Sequence, residues 1–250
     1  MKIFSYQLKK ELKSFFYSSY AFIIIFFFWI LSGLNFYWLL IQISNGERII
    51  NVLQLLFCGP LIIFSLPVIV PLLTMKLFSE EQKLGTLELL YTIPLSKITL
   101  ILSKYVSALI FYLILWIPYI FYIFILNSLY KSSGIILFNS GLVFSGLFGI
   151  LLIGIFYIGI GLLMSSITSS QVIASVSSFG ILFGILITFM FMGINNDNDV
   201  IKFFGRYFST FHHLFDFSRG IVDSRVIVYY IGLSLWSILA ILDVLNWKRC

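Results

Sequence analysis

Tyr20-Ala-Phe-Ile-Ile-Ile-Phe-Phe-Phe-Trp-Ile-Leu-Ser-Gly-Leu-Asn-Phe-Tyr-Trp-Leu-Leu-Ile-Gln-Ile43 contains no charged residue. A helix needs about 18–20 consecutive apolar residues to cross the hydrocarbon core of a bilayer, and this run exceeds that length. It is too long for the apolar part of a signal peptide, and no small-residue cleavage site follows it, so it reads as a retained span. The rest of the chain follows suit: of 250 residues 60% are hydrophobic and 10% charged, where soluble domains carry roughly a quarter. Mean hydropathy is +1.06. These values exclude a soluble enzyme and leave no room for a separate soluble domain.

Apolar runs at about 20–43, 52–75, 100–126, 136–164, 171–193 and 227–247 predict six spans. The expected fold is all-α: a polytopic membrane protein with one transmembrane domain over 1–250. An even number of spans puts both termini on one side. With the termini inside, ten of the 16 Lys and Arg face the cytoplasm; the outer set is Arg48, Lys131, Lys202, Arg206, Arg219 and Arg225. The positive-inside bias therefore favours cytoplasmic termini. Lysines facing anionic lipid account for the net charge of +6, and no nucleic-acid partner is needed. The two cysteines, Cys58 and Cys250, suggest neither a disulfide nor a metal site.

Residues 1–19 predict an interfacial helix. Phe4, Leu8, Leu12 and Phe15 recur at helical spacing, with Lys2, Lys9 and Lys13 on the other side and Lys10 beside them. Glu11 falls inside the apolar arc. It meets either a basic partner or a nearby lysine at the interface. In the second span, Pro60, Pro67 and Pro71 each remove a backbone hydrogen bond, which predicts either a hinge or a static bend. Gly141, Ser145 and Gly149 in the fourth span, and Gly180 and Gly184 in the fifth, recur every four residues. Such stripes allow close helix approach, within one subunit or across a dimer seam. No Asp, Glu, Lys or Arg sits near mid-membrane, which argues against an ion-coupled carrier or channel.

The polar segment 76–98 lies between the second and third spans. It carries Glu80, Glu81, Glu88, Lys76, Lys83 and Lys97. Gly85 supplies a break, Thr86 can cap a second short helix, and Pro94 closes it, which predicts helix–break–helix over 78–84 and 87–93. Glu80, Glu81 and Lys83 stay available to a polar partner. The alternative is a charged amphipathic helix resting on lipid.

Phe78-Ser-Glu-Glu-Gln-Lys-Leu-Gly-Thr-Leu-Glu-Leu-Leu-Tyr-Thr-Ile-Pro-Leu-Ser96 resembles the hallmark segment of type-2 ATP-binding cassette (ABC) transporter permeases. Lys10-Glu-Leu-Lys-Ser-Phe-Phe-Tyr-Ser-Ser-Tyr-Ala21 and His213-Leu-Phe-Asp-Phe-Ser-Arg-Gly-Ile-Val-Asp223 resemble stretches of the gliding-motility-associated and nitrous-oxide-reductase-maturation permeases of that family. The likeness covers nearly the whole chain. It implies a coupling helix seated in a separate ATPase subunit, with Glu80, Glu81, Lys83, Gly85, Thr86, Leu87, Glu88 and Leu90 as contact residues. It further implies that residues 1–19, with Lys9, Lys10, Glu11 and Lys13, form the connecting helix at the interface. A second permease subunit, identical or not, and a bacterial inner-membrane location are also implied by it. The chain contains no G-x-x-x-x-G-K-[ST] sequence to cradle phosphates. ATP and magnesium are therefore expected in the partner, with no cofactor in this chain.

The outer loop, 194–226, holds Phe203, Phe204, Tyr207, Phe208, Phe211, Leu214 and Phe215 at near-helical spacing. They predict a helix dipping back against the outer leaflet before the last span. His212 and Asp216 are one turn apart, but no third metal ligand is evident, so capping and hydrogen bonding suit them better. No nucleophile–base–acid set appears, so no intrinsic enzyme is expected. The function implied is a permease subunit, with an ion-coupled carrier or a non-transporting membrane scaffold as rivals.

Overall fold

The structure, a computed structural model, describes residues 2–45, 52–86, 96–131, 140–194 and 198–248. In chain order the helices are α1 (Lys2–Tyr17), α2 (Ser19–Ser44), α3 (Val52–Phe57), α4 (Pro60–Thr74), α5 (Lys76–Lys83) and α6 (Lys97–Leu115). They continue with α7 (Ile117–Lys131), α8 (Ser140–Ile167), α9 (Gln171–Ile194), α10 (Asp199–Phe208), α11 (Thr210–Ser218) and α12 (Ser224–Trp247). Among the described residues there is no strand. Six helical stretches there are long and apolar enough to cross a membrane: Ser19–Ser44, Val52–Lys83, Lys97–Leu129, Ser140–Ile167, Gln171–Ile194 and Ser224–Trp247.

The second stretch is built in three pieces, and the prolines divide it differently from the sequence expectation. Pro60 opens α4 after Gly59 rather than bending a helix. In an unbroken helix the Leu56 carbonyl would accept from residue 60, but proline has no N–H to give. Buried Asn35 of α2 reaches across and donates its Nδ2 to that carbonyl at 3.1 Å. A neighbouring side chain thus satisfies a freed carbonyl in apolar surroundings. Pro67 and Pro71 lie inside a continuous α4. The next interruption falls at Met75, between α4 and α5, four residues past Pro71. Pro67 and Pro71 thus leave α4 continuous, and the interruptions of this stretch fall at Cys58–Gly59 and Met75. The third stretch also breaks, at Trp116, where Pro118 has no N–H to give the Ile114 carbonyl four residues back and its ring crowds that carbonyl.

α8 is the central helix and packs against α3, α4, α5, α6, α9, α11 and α12. Its small residues make that possible. A Cβ at Gly149 would lie 2.8 Å from Phe217, one at Gly154 would lie 2.3 Å from Tyr112, and one at Gly161 would lie 2.1 Å from Thr74. Ser145 donates its hydroxyl to the Phe217 carbonyl at 2.8 Å. This stripe is committed to packing within the chain. Gly180 and Gly184 of α9 have open space where a Cβ would stand, so the two stripes have different fates.

The outer aromatic stretch forms two helices, not one. Ser209 breaks it with extended backbone and caps α11, its hydroxyl accepting from the His212 amide. Asn198 caps α10 in the same way. Gly205 brings α10 against the end of α9, where a Cβ would lie 2.4 Å from the Gly193 nitrogen. Phe203 and Phe204 are exposed, whereas Leu214 and Phe217 are buried beneath α11.

Candidate functional site

α5 is short, but it is tied to four other elements. Its sequence, Lys-Leu-Phe-Ser-Glu-Glu-Gln-Lys, buries Leu77, Phe78 and Ser79 and leaves Glu80, Gln82 and Lys83 at the surface edge. At its start the amides of Phe78 and Ser79 both donate to Ser165 Oγ of α8, each at 3.1 Å. The Ser165 hydroxyl donates in turn to the Met75 carbonyl at 3.0 Å. A side chain inserted into the backbone ladder is a recognised cause of a helix break, which explains why the interruption sits at Met75.

At its other end, Gln82 donates Nε2 to the Ser166 carbonyl at 2.7 Å. Lys248, just past α12, donates to Gln82 Oε1 at 2.8 Å, the Ser166 carbonyl at 2.9 Å and the Ile167 carbonyl at 2.8 Å. Its ammonium thus caps the carbonyl end of α8, where a positive charge is favoured. Partial burial lowers the Lys248 pKa from its usual value. These contacts put the ends of α12 and α5 at one end of the bundle.

The same end holds a buried charge cluster. Lys104 of α6 is 1% exposed; its Nζ lies 3.2 Å from Glu11 Oε1 of α1 and 2.8 Å from Glu81 Oε1 of α5. Gln7 adds an Nε2 hydrogen bond to the same Glu11 oxygen at 3.1 Å. The Lys104 ammonium also lies 5.3 Å from the centre of the Phe78 ring. Beside the cluster Phe15 stacks on Phe111 at 5.2 Å, adding an apolar link between α1 and α6. A lone ammonium here would be costly, and two carboxylates from different helices compensate it.

α5 ends at Gly85, whose φ of +68° suits glycine. Thr86 donates its hydroxyl to the Glu81 carbonyl at 3.3 Å, so it closes α5. Leu84 is 67% exposed at this exit. The predicted second helix, with Leu87, Glu88 and Leu90, lies outside the described residues.

The structure separates the expected site residues. Glu80 and Lys83 sit at the edge of α5, and Glu81 is turned inward and paired. The expectation that Glu81 stands available is corrected by the Lys104 contact. Glu11 finds its lysine not on α1 but on α6. Lys9, Lys10 and Lys13 stay toward the surface. Sequence reasoning missed Lys104 as a site residue. The available signal was a pair of misplaced opposite charges, Glu11 in an apolar arc and Lys104 in an apolar helix.

At the opposite end, His213 of α11 is buried. Its Nε2 lies 3.0 Å from the Tyr207 carbonyl and its Nδ1 lies 3.0 Å from the Tyr230 hydroxyl. A carbonyl can only accept, so Nε2 carries the proton and Nδ1 accepts from Tyr230. Burial pulls the His213 pKa down to about 4. His212 is lowered as well, by burial and then Arg206, while burial raises Asp216. Among the described residues no three His, Cys, Asp or Glu side chains gather as a metal site.

A helical bundle with six candidate spans, whose second span runs on into a polar helix pinned to its neighbours, defines an α-helical membrane protein. Over residues 4–214 the chain matches the ABC-2 family transporter protein family, and it belongs to that family. It is thus a membrane permease component of an ABC transporter. Such components are generally non-enzymatic, and the family implies an ATPase partner. No curated protein matches the chain.

Proposed function

We propose that α5 and the segment running to residue 98 form the coupling element that a separate ATPase subunit grips, and that its motion drives the spans. The observation that carries this reading is the wiring of α5. It comes directly after α4 and is bonded to α6 through Lys104, to α8 through Ser165 and Ser166, and to α12 through Lys248. A push on α5 is therefore delivered to four spans, because packed and hydrogen-bonded elements move as bodies.

In this reading ATP and magnesium are held by the partner, since the chain lacks a phosphate-cradling sequence. The termini lie in the cytoplasm of a bacterium, in its inner membrane, and residues 194–226 lie outside. α1 lies along the interface. A second permease subunit, identical or homologous, completes the path, and the open Gly180–Gly184 face of α9 suits a helix-to-helix seam. The transported substance is an unidentified envelope component, moved outward. The sequence likeness to the gliding-motility-associated and nitrous-oxide-reductase-maturation permeases supports a role of that kind. No nucleic acid takes part.

Co-purification with the ATPase from a neighbouring gene tests the proposal. Lys83→Glu and Leu87→Asp should each reduce recovery of the ATPase or uncouple its hydrolysis, while membrane insertion stays normal. Loss of one docked side chain typically costs ~1–3 kcal/mol. If both variants retain full co-purification and substrate-stimulated hydrolysis, the segment is a lipid-resting helix instead. Glu81→Arg is the wrong probe for docking, because it sets a cation against Lys104 and disturbs the junction itself.

A further inference from the structure

A cavity of about 290 Å³ opens between α1, α2, α4, α5 and α6 beside the charge cluster. One wall is apolar, with Phe15, Ile24, Leu73 and Phe111. The other carries Glu11, Lys76, Glu80, Glu81 and Lys104, three carboxylates against two ammonium groups. It is bounded by the first turns of the Ser19–Ser44 span and the last turns of the Val52–Lys83 span, so it lies where the apolar run meets polar sequence. That is the depth of lipid headgroups.

The polar side is incompletely satisfied within the chain. Lys104 engages Oε1 of both Glu11 and Glu81. Glu81 Oε2 is buried without a hydrogen-bond partner among the described residues. Glu80 forms no ion pair among those residues, and Lys76 lies over the Tyr20 ring at 4.5 Å rather than on a carboxylate. What remains open is acceptor capacity for a cation, with one ammonium close by to meet a phosphate.

We propose that this cavity binds the headgroup of an aminophospholipid, its primary ammonium against the Glu80 carboxylate in the field of Glu11 and Glu81, its phosphate toward Lys76, and an acyl chain along the apolar residues. The net negative lining disfavours an anionic headgroup. A quaternary ammonium fits worse, because it has no N–H to donate to the carboxylates. The inference rests on the cavity and its depth, not on α5 acting as a coupling element, so no ATPase is needed in its test.

Native mass spectrometry of the purified full chain in detergent reads the outcome. It is titrated with phosphatidylethanolamine, phosphatidylcholine and phosphatidylglycerol bearing the same acyl chains. The ethanolamine lipid should bind at least about tenfold tighter than the choline lipid, as lost charge-assisted hydrogen bonds require, and the glycerol lipid should bind weakest. Glu80→Gln should shrink the advantage over choline to about twofold or less, while Lys202→Gln on α10 leaves it intact. Equal affinity for the ethanolamine and choline lipids, or tightest binding of the glycerol lipid, would overturn the proposal. So would glycerophosphoethanolamine binding as tightly as the whole lipid, which would make the cavity a site for a soluble amine.

Discussion

At the α5 end, Lys104 is 1% exposed and keeps company with carboxylates from two other helices; at the opposite end His213 is 4% exposed and sits among a tyrosine hydroxyl and a backbone carbonyl. Both ends bury an ionisable side chain. The first holds it in a cluster of opposite charges, so α1, α5 and α6 are bound to one another and none can move far without leaving a charge uncompensated. The second suits a neutral ring, whose hydrogen bonds to the Tyr207 carbonyl and the Tyr230 hydroxyl tie α10 and α11 to α12. The paired charges of Lys104, Glu11 and Glu81 tie three helices to one another, as the coupling proposal requires.

The largest expected effect comes from breaking the charged junction. Lys104→Met strands Glu11 and Glu81, and removing one partner of a buried ion pair costs ~3–5 kcal/mol. Thermal unfolding in detergent should show a clear drop for this variant and a smaller one for Lys104→Arg, which keeps the charge. Stability equal to the parent would mean that the cluster is idle. Next is the central helix. Gly154→Leu drives a side chain into Tyr112 and should lose ~1–3 kcal/mol or more. Gly180→Leu, with open space around it, should leave the stability of the single chain unchanged and act on subunit association, read by light scattering. A large loss of stability in the single Gly180→Leu chain would erase the distinction between the two stripes.

A gentler effect concerns pH at the neutral end. His213 has a pKa of about 4 when folded against an ordinary 6.5. Between those values the unfolded chain binds a proton that the folded chain refuses, so stability is present above about 6.5 and falls as pH drops toward about 4. His212 acts in the same direction, and Asp216, raised by burial, opposes it. The difference between the parent and His213→Gln isolates the His213 share: the parent should lose more stability on acidification. Identical pH profiles for the two would show that the ring is not held neutral. The smallest effect belongs to the exposed Arg225–Asp223 pair, at 4.0 Å. Arg225→Ala should change unfolding by no more than ~1 kcal/mol, in contrast to the ion pairs of Lys104.

Much of the fold was legible because spans announce themselves by length and apolar composition. Six runs predicted six candidate spans, and their bounds shifted by only a few residues at most ends. The breaks were harder. A proline removes one donor, but where the helix yields depends on neighbours the sequence does not reveal: Asn35 reaches the Leu56 carbonyl, and Ser165 enters the ladder at Met75. The charge cluster was half legible. Glu11 was visibly out of place on an apolar arc, whereas its partner lies 93 residues away and is brought near only by the packing of α1 on α6. The glycine stripes on α8 and α9 look alike as patterns, and only packing separates the buried one from the open one.

The central claim, that α5 and the segment beyond it are the ATPase's seat, is tested most directly by site-specific photocrosslinking in cells. A photoreactive residue is placed at Leu84, exposed at the end of α5, and for comparison at Val200, exposed on α10. The ATPase should be captured from Leu84, with a yield that changes when ATP hydrolysis is blocked, and should not be captured from Val200. Capture from Val200 but not from Leu84, or from neither, would contradict the seat.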